Sequence, residues 1–534
     1  RVNSDGLIEK VRTNLILQSN TFDTTWGNSS TTETSGQSGY DGTSNAWLLS
    51  KSAASGYIVQ FVSVSGVQTF SVYAKANAST WSLLQCIGGS NPYAYFNLDT
   101  GVVGTIGGGA ILSSIEDVGG DWYRISMIYD TTISFARIYP AESNTASATS
   151  GSIYIQDAQL ETGDIATEYI PTTTTAVSVG MLANVPRIDY TSGCGKLLLE
   201  PQRTNSLFYS EQFDNAAWTK GAVSVTANNA VSPDGYTNAD LITADGTTTQ
   251  HYVFQFQSAA ARTYSIFLKM GTQRYVQILT SGATTLPVAN YDLQNGVANM
   301  VGSSSTASIE NYGNGGYRCI LSTTDAAAAS FYLLFASSMT SVRYEVNNSS
   351  GTIWAYGAQA ELGSYATSYI PTTSTTVTRT QDSASKSGIS SLINSEEGVL
   401  YAEISALADD LTYRILSISD GTTAERIYIQ YTNVTNTVAV VIKNGSTTQA
   451  NMGYALSDET ELAKVAIKYK ANDFALWVNG FEVGTDASGT TPTGLSELAF
   501  DDGGGANHFY GNVQSLMIFP SALSDTELAT LTTL

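Results

Sequence analysis

A stretch of this chain occurs twice. Gly151-Ser-Ile-Tyr-Ile-Gln-Asp-Ala-Gln-Leu-Glu-Thr-Gly163, followed by Ala166-Thr-Glu-Tyr-Ile-Pro-Thr-Thr173, returns as Gly351-Thr-Ile-Trp-Ala-Tyr-Gly-Ala-Gln-Ala-Glu-Leu-Gly363 and Ala366-Thr-Ser-Tyr-Ile-Pro-Thr-Thr373. Upstream, Arg12-Thr-Asn14 with Phe22, Asp23 and Trp26 matches Arg203-Thr-Asn205 with Phe213, Asp214 and Trp218. Between these ends Ser71-Val-Tyr-Ala-Lys75 matches Ser265-Ile-Phe-Leu-Lys269, and Tyr123-Arg124 matches Tyr317-Arg318. The offset drifts from about 191 to about 200 residues, as insertions in loops produce, so a unit of about 165 residues is duplicated. Whatever fold the unit takes must therefore appear twice.

That fold reads as β. Phe70, Val72 and Ala74 alternate with Ser71, Tyr73 and Lys75, a period of two. Such runs return between Gly, Asn and Asp turns, the pattern of a sandwich or barrel. Ile153 and Ile155 fall on one face and Tyr154 and Gln156 on the other, and the terminal strand is expected to stop at Ile170-Pro171. Thr-rich stretches come after each copy and read as extended connectors.

From about Ser395 the pattern changes. Strands are expected at 400–405, 414–418, 426–431, 437–443, 464–470, 474–478 and 509–519. Asn479-Gly480 supplies the positive φ pair of a type I′ hairpin, and Asn444-Gly445 is read as a second. Ser524 and Glu527 form a capping box for a short closing helix.

The repeated units resemble the carbohydrate-binding-module-type jelly rolls of bacteriophage tail fibres and virion spikes. The resemblance rests on Leu199-Glu-Pro-Gln-Arg-Thr-Asn205, on Tyr209-Ser-Glu-Gln-Phe-Asp214 with Trp218, and on the Tyr-Ile-Pro-Thr endings. The phrases at 1–9 and 185–190 are also similar to such fibres. The third region resembles a concanavalin A-like, laminin-G-type sandwich, through Leu476-Trp-Val-Asn-Gly480 and the ending from Gly511 to Leu528. The expected architecture is all-β. Two jelly rolls occupy 1–175 and 201–376, joined by a connector at 176–200. A linker at 377–394 leads to the laminin-G-type domain at 395–534.

The chemistry the chain can support is narrow. With 24 Lys+Arg against 46 Asp+Glu the net charge is −22, which disfavours nucleic acid and anionic membranes. No apolar run reaches the ~18 residues of a membrane span. Cys86, Cys194 and Cys319 are far apart, so neither zinc nor a disulfide framework is indicated. Cys86 and Cys319 read as buried, Cys194 as a loop thiol. His251 and His508 are the two histidines, and His251 reads as a sheet residue. No paired-carboxylate strand accompanies Glu403, and Asp409-Asp410 fall in a loop, so no catalytic residue is assigned.

Sugars need aromatic platforms flanked by polar groups. The candidates are Trp81, Tyr93 and Tyr95 in the first unit and Tyr275, beside Arg274 and Gln277, in the second. Tyr428, Tyr431, His508 and Tyr510 are candidates in the third region. Trp26 and Trp218 recur at matching positions and read as packing residues. Residues 395–534 hold 18 acidic against 6 basic residues. There Asp501, Asp502 and Asn507 are candidate calcium ligands or an acidic solvated loop. Asp157 is a further candidate by family position, although Gly357 replaces it in the second copy.

The resemblance implies a non-enzymatic virion fibre or spike protein that binds cell-surface or extracellular polysaccharide. Its further partners would be other virion proteins and copies of itself, as in a trimer. The alternatives are a polysaccharide depolymerase or lyase acting from the third sandwich, and a secreted bacterial adhesin. The chain starts at Arg1, so a leader or longer N-terminal part is expected to precede it.

Overall fold

The computed structural model describes residues 7–8, 12–145, 149–163, 166–179, 187–191, 193–282, 287–301 and 305–534. The phrase at 1–9 lies largely outside them, as do residues 185 and 186 of the phrase at 185–190. The architecture is all-β, with one α-helix among the described residues.

In the first repeat, one six-stranded sheet orders Ala110–Gly119, Trp122–Asp130, Val67–Ala76, Gly151–Thr162, Ala46–Lys51 and Thr31–Gln37. The opposite sheet orders Gly27–Ser29, Tyr57–Val64, Ile133–Ala141, Trp81–Gly88, Tyr93–Asn97 and Val102–Gly107. The second repeat reproduces both orders strand for strand. Ser305–Asn311, Gly316–Thr323, Arg262–Met270, Thr352–Leu362, Thr237–Ala244 and Val223–Val231 form one sheet. Thr219–Gly221, Tyr252–Phe256, Ser330–Ala336, Tyr275–Leu279, Val288–Asp292 and Val297–Val301 form the other.

Alternation decides which side chains enter each core. Phe70, Val72 and Ala74 pack inward with Ile153 and Ile155, and Cys86 lies among them. Each large apolar side chain so buried contributes roughly 1.5–3 kcal/mol. Trp26 and Trp218 are buried and donate their indole N–H to the carbonyls of Gln18 and Tyr209, which makes them packing residues in both copies. The terminal strands end at Thr162 and Leu362, earlier than the Ile-Pro sequence suggests. The chain leaves the ladder at Gly163 and Gly363, whose φ values of 119° and 129° suit glycine.

One asparagine in each repeat holds the segment that leaves the terminal strand. Asn14 donates to the carbonyls of Ala158 (3.1 Å) and Ile170 (2.8 Å) and accepts from the amides of Ile16 (3.0 Å) and Leu160 (3.2 Å). Asn205 makes the same four bonds to Ala358, Ile370, Leu207 and Ala360.

The stretch expected as a connector is built into sheets. Val177–Val179 pairs with Arg12–Asn14, Val377–Arg379 with Arg203–Asn205, and the two ribbons join in parallel at Ser178 and Arg379. Ile188–Asp189 and Lys196–Leu199 form the edge of the third sandwich, Leu197 opposite Val513 and Leu199 opposite Gly511. That seven-stranded sheet continues through Gly511–Phe519, Glu397–Ala406, Ala463–Lys470, Phe474–Val478 and Phe481–Asp486. Its partner orders Ser385–Lys386, Glu497–Ala499, Arg414–Ser419, Arg426–Tyr431, Thr437–Asn444 and Thr447–Ala455.

The hairpin at Asn479-Gly480 forms with φ values of 50° and 90°. The second hairpin turns one residue later than Asn444-Gly445. Gly445 and Ser446 carry its positive φ values of 59° and 68°, because a bulge between Ile442 and Lys443 shifts the register. The helix Asp525–Thr532 starts on the expected Ser524–Glu527 capping box.

An aromatic face on the first repeat as the candidate functional site

The outward face of the opposite sheet in the first repeat is aromatic. On Tyr57–Val64 the outward residues are Tyr57, Val59 and Phe61. On Ile133–Ala141 they are Phe135 and Arg137, opposite Phe61 and Val59, and Tyr139, whose ring centre lies 5.1 Å from that of Tyr57. Next come Trp81, Leu83 and Gln85, then Tyr93 and Tyr95, with Leu83 opposite Tyr95 and Gln85 opposite Tyr93. Structure thus brings Trp81, Tyr93 and Tyr95 into one cluster with Tyr57, Leu83, Tyr139 and Ala141. Trp81, Tyr93 and Tyr95 stay partly exposed.

Glycines on the next strand let two of these rings spread over the sheet. A Cβ on Gly104 would lie 2.7 Å from the Trp81 ring, and one on Gly107 would lie 2.6 Å from the Tyr93 hydroxyl. Polar atoms are fixed between the rings. Arg137 stacks 4.3 Å from the Tyr57 ring centre, a cation–π contact, and donates to the Tyr139 hydroxyl (3.3 Å). That hydroxyl in turn donates to Gln85 (2.9 Å). Phe61 is 69% exposed and rests against Phe135, ring centres 4.9 Å apart. The face therefore offers apolar ring surfaces alternating with oriented donors and acceptors, as a pyranose requires.

Sequence reading found Trp81, Tyr93 and Tyr95 and missed Tyr57, Phe61, Phe135, Arg137 and Tyr139. The usable signal was the period-two spacing of Tyr57 with Phe61 and of Phe135, Arg137 and Tyr139.

Tyr275 takes the position of Trp81, since both face an alanine on the neighbouring strand, Ala336 and Ala141. Arg274 covers its ring at 4.8 Å and is itself clamped by Asp292 at 2.9 and 2.7 Å. Gln277 is buried beneath a crossing segment, donating to the carbonyl of Val342 (3.1 Å) and accepting from the amide of Tyr344 (3.2 Å). The second repeat thus closes the face that the first presents. Its Phe256, equivalent to Phe61, is still 73% exposed.

In the third sandwich, Tyr431 is a core residue whose hydroxyl donates to the Ile404 carbonyl (3.2 Å). It falls on the inward side of an alternating strand and offers no platform. Tyr428 is buried on the outer face beneath Arg426, 4.5 Å from its ring. His508 and Tyr510 both meet Gln381, at 3.1 Å each, and so tie the chain before the third sandwich to it.

The candidate calcium ligands Asp501, Asp502 and Asn507 come together in one loop. Asp501 accepts the Gly503 amide (2.7 Å), and Asp502 accepts the amides of Gly504 (3.0 Å) and Ala506 (3.1 Å) and the Asn507 side chain (3.1 Å). Burial opposes ionisation of Asp502, yet these donors and the Arg426 guanidinium hold its carboxyl below the usual range. The Arg426 guanidinium stands 4.0 Å from the Asp502 carboxylate. Asp157 belongs to another body, and burial pushes its carboxyl up to about 7. Among the described residues no group of three or more His, Cys, Asp or Glu is placed to hold a metal. Glu403 pairs in register with Lys464 and Ser515.

Residues 402–529 match the family model described as the laminin-G type of the concanavalin A-like lectin/glucanases superfamily. The C-terminal body is a laminin-G-type domain. Among solved structures, domains LG4-5 of the mouse laminin alpha1 chain match at 11% identity, covering 52% of this chain and 89% of that one with a TM-score of 0.19. No curated protein sequence matches. The laminin-G-type domain thus owes its edge strands to Ile188–Asp189 and Lys196–Leu199, which precede the matched residues. Its fold is compatible with carbohydrate or other ligand binding. Among the described residues no helix is long and apolar enough to cross a membrane.

Proposed function

We propose that the protein binds host or environmental glycans through the aromatic face of its first repeat, as a non-enzymatic fibre or spike component of a virion. The observation that carries the reading is the sheet face on which Trp81, Tyr93 and Tyr95 gather around the Arg137–Tyr139–Gln85 hydrogen-bond chain. Tandem β-bodies, the resemblance of the repeats to fibre jelly rolls, and a net charge of −22 support an extracellular, particle-borne role. A single shallow face would bind at about millimolar affinity, roughly −4 kcal/mol, and copies assembled as a trimer would raise avidity.

Affinity electrophoresis through host polysaccharide tests the binding. The wild-type chain is expected to be retarded, and Trp81→Ala and Tyr95→Ala each to lower retention about three- to tenfold, the loss of one ring contact. Unchanged retention in both variants would refute the assignment of the face. Purified virions should contain the protein at a repeating position. Incubation with capsular polysaccharide should release no new reducing or unsaturated ends; their release would favour a depolymerase.

A further inference from the structure

Lys75 and Lys269 recur in the duplicated unit and play no part in the face described above. Both stand on the outer side of the sheet that contains the terminal strand, on the other flank of the sandwich. Lys269 pairs in register with Trp354 on one side and Gly316 on the other. The equivalent neighbours of Lys75 are Tyr154 and Trp122. In the first repeat the Trp122 indole is buried between Tyr154 and Tyr40, ring centres 6.4 and 6.3 Å away. In the second repeat Gly316 supplies no ring at that place, and Leu7, Tyr190 and Thr191 of the preceding chain also border it. A cavity of about 750 Å³ opens there, lined by Phe267, Lys269, Tyr312, Asn314, Trp354 and Tyr356. The cavity at the matching place in the first repeat is smaller, about 510 Å³.

The two lysines differ in what they face. Lys75 is engaged, with its ammonium on the Gly120 carbonyl (2.7 Å) and near the Asp121 carboxylate (3.4 Å). Lys269 is exposed and makes no ion pair among the described residues. Trp354 is partly exposed and fixed by its indole N–H on Asn229 (3.1 Å). Of the carboxylates around the cavity, Asp234 and Glu211 accept the Tyr356 hydroxyl at 2.7 and 3.1 Å, Asp234 also accepts Asn238 and the Tyr236 amide, and Glu310 accepts the Tyr312 hydroxyl at 3.4 Å.

We propose that this cavity is a second ligand site, specific to the second repeat, that takes a pyranose bearing a carboxylate, of the hexuronate or sialate kind. Trp354 and Tyr312 provide ring surface for the apolar face of the sugar. Lys269 supplies a cation at the mouth, a point charge for the carboxylate. The site is independent of the aromatic face on the first repeat and differs from it in ligand charge.

An array of uronate- and sialate-containing oligosaccharides, printed beside their carboxyl-reduced counterparts, tests this with the full chain. Acidic members are expected to be retained and their reduced forms not, with retention falling as salt rises. Lys269→Met should lower retention about tenfold, the equivalent of one charge contact of ~1.4 kcal/mol. Gly316→Trp should abolish it by restoring the ring of the first repeat. A Cβ on Gly316 would meet only the Gly313 carbonyl, at 3.3 Å, a tight contact that needs that turn to give by a few tenths of an ångström. Thermal unfolding checks that both variants fold. Trp81→Ala should leave acidic-sugar retention unchanged. The proposal is overturned if no carboxylated member is retained, or if Lys269→Met retains them as well as wild type. Retention lost in Trp81→Ala and kept in Lys269→Met would assign the binding to the first face instead.

Discussion

Arg187 and Asp382, 195 residues apart in the chain, form a buried ion pair of 2.8 Å. Glu200 lies 2.5 Å from Arg187 and 3.2 Å from Arg379, and Arg379 is 3.7 Å from Asp382. Two cations and two anions thus cancel in a buried junction between the chain leaving the first repeat and the chain leaving the second. Burial alone would raise the Glu200 carboxyl, but the two guanidinium groups drive it well below the usual range.

Removing one partner leaves an uncompensated charge. Arg187→Met should destabilise the chain by about 3–5 kcal/mol, measured by denaturant unfolding. The double variant Arg187→Met/Asp382→Leu should recover much of that loss. An Arg187→Met protein as stable as wild type would show that water enters the junction.

Asn14 and Asn205 should be equally sensitive. Each satisfies two carbonyls and two amides, and Asn→Ala orphans all four at a cost of ~1–3 kcal/mol for each group left dry. Asn14→Ala is expected to lower the unfolding transition of the first repeat and Asn205→Ala that of the second, seen by calorimetry. Asn→Asp should be nearly as damaging, because a carboxylate cannot donate to Ala158 and Ile170.

The first repeat should lose stability as pH rises. Burial first, and then the charge of Asp41, raises the Asp157 carboxyl to about 7, against the donated hydroxyl of Tyr40 at 2.9 Å. The folded state therefore binds the proton more tightly than the unfolded chain, whose value is near 3.8. The stabilisation is full below that value and disappears as pH passes through about 7. Asp157→Asn should flatten this slope in melting curves recorded across that range. Asn also tolerates the φ of 55° found there.

Calcium should be dispensable for the laminin-G-type domain. EDTA or added Ca²⁺ is expected to leave its melting temperature unchanged. Asp502→Ala should lower it whether or not the ion is present, because the loop amides of Gly504 and Ala506 lose their acceptor. A melting temperature that rises with Ca²⁺ would reverse this.

Periodicity in the chain determined a great deal. Duplication required two copies of one fold, and alternation at residues 70–75 and 153–156 assigned core and outer faces correctly. The Asn479-Gly480 turn and the Ser524 cap were legible because their chemistry is local. Three residues of the candidate face were also legible, since aromatics on neighbouring short strands stand out. Alternation by itself could not tell which outer face stays open. Gln277 and Tyr428 have the same pattern as exposed positions, yet a segment distant in sequence covers the first and the Arg426 side chain covers the second. Nor could it place Lys196–Leu199 in the third sandwich or Arg187 beside Asp382. Those pairings join residues hundreds of positions apart, and only the closing of the sheets brings their edges and charges together.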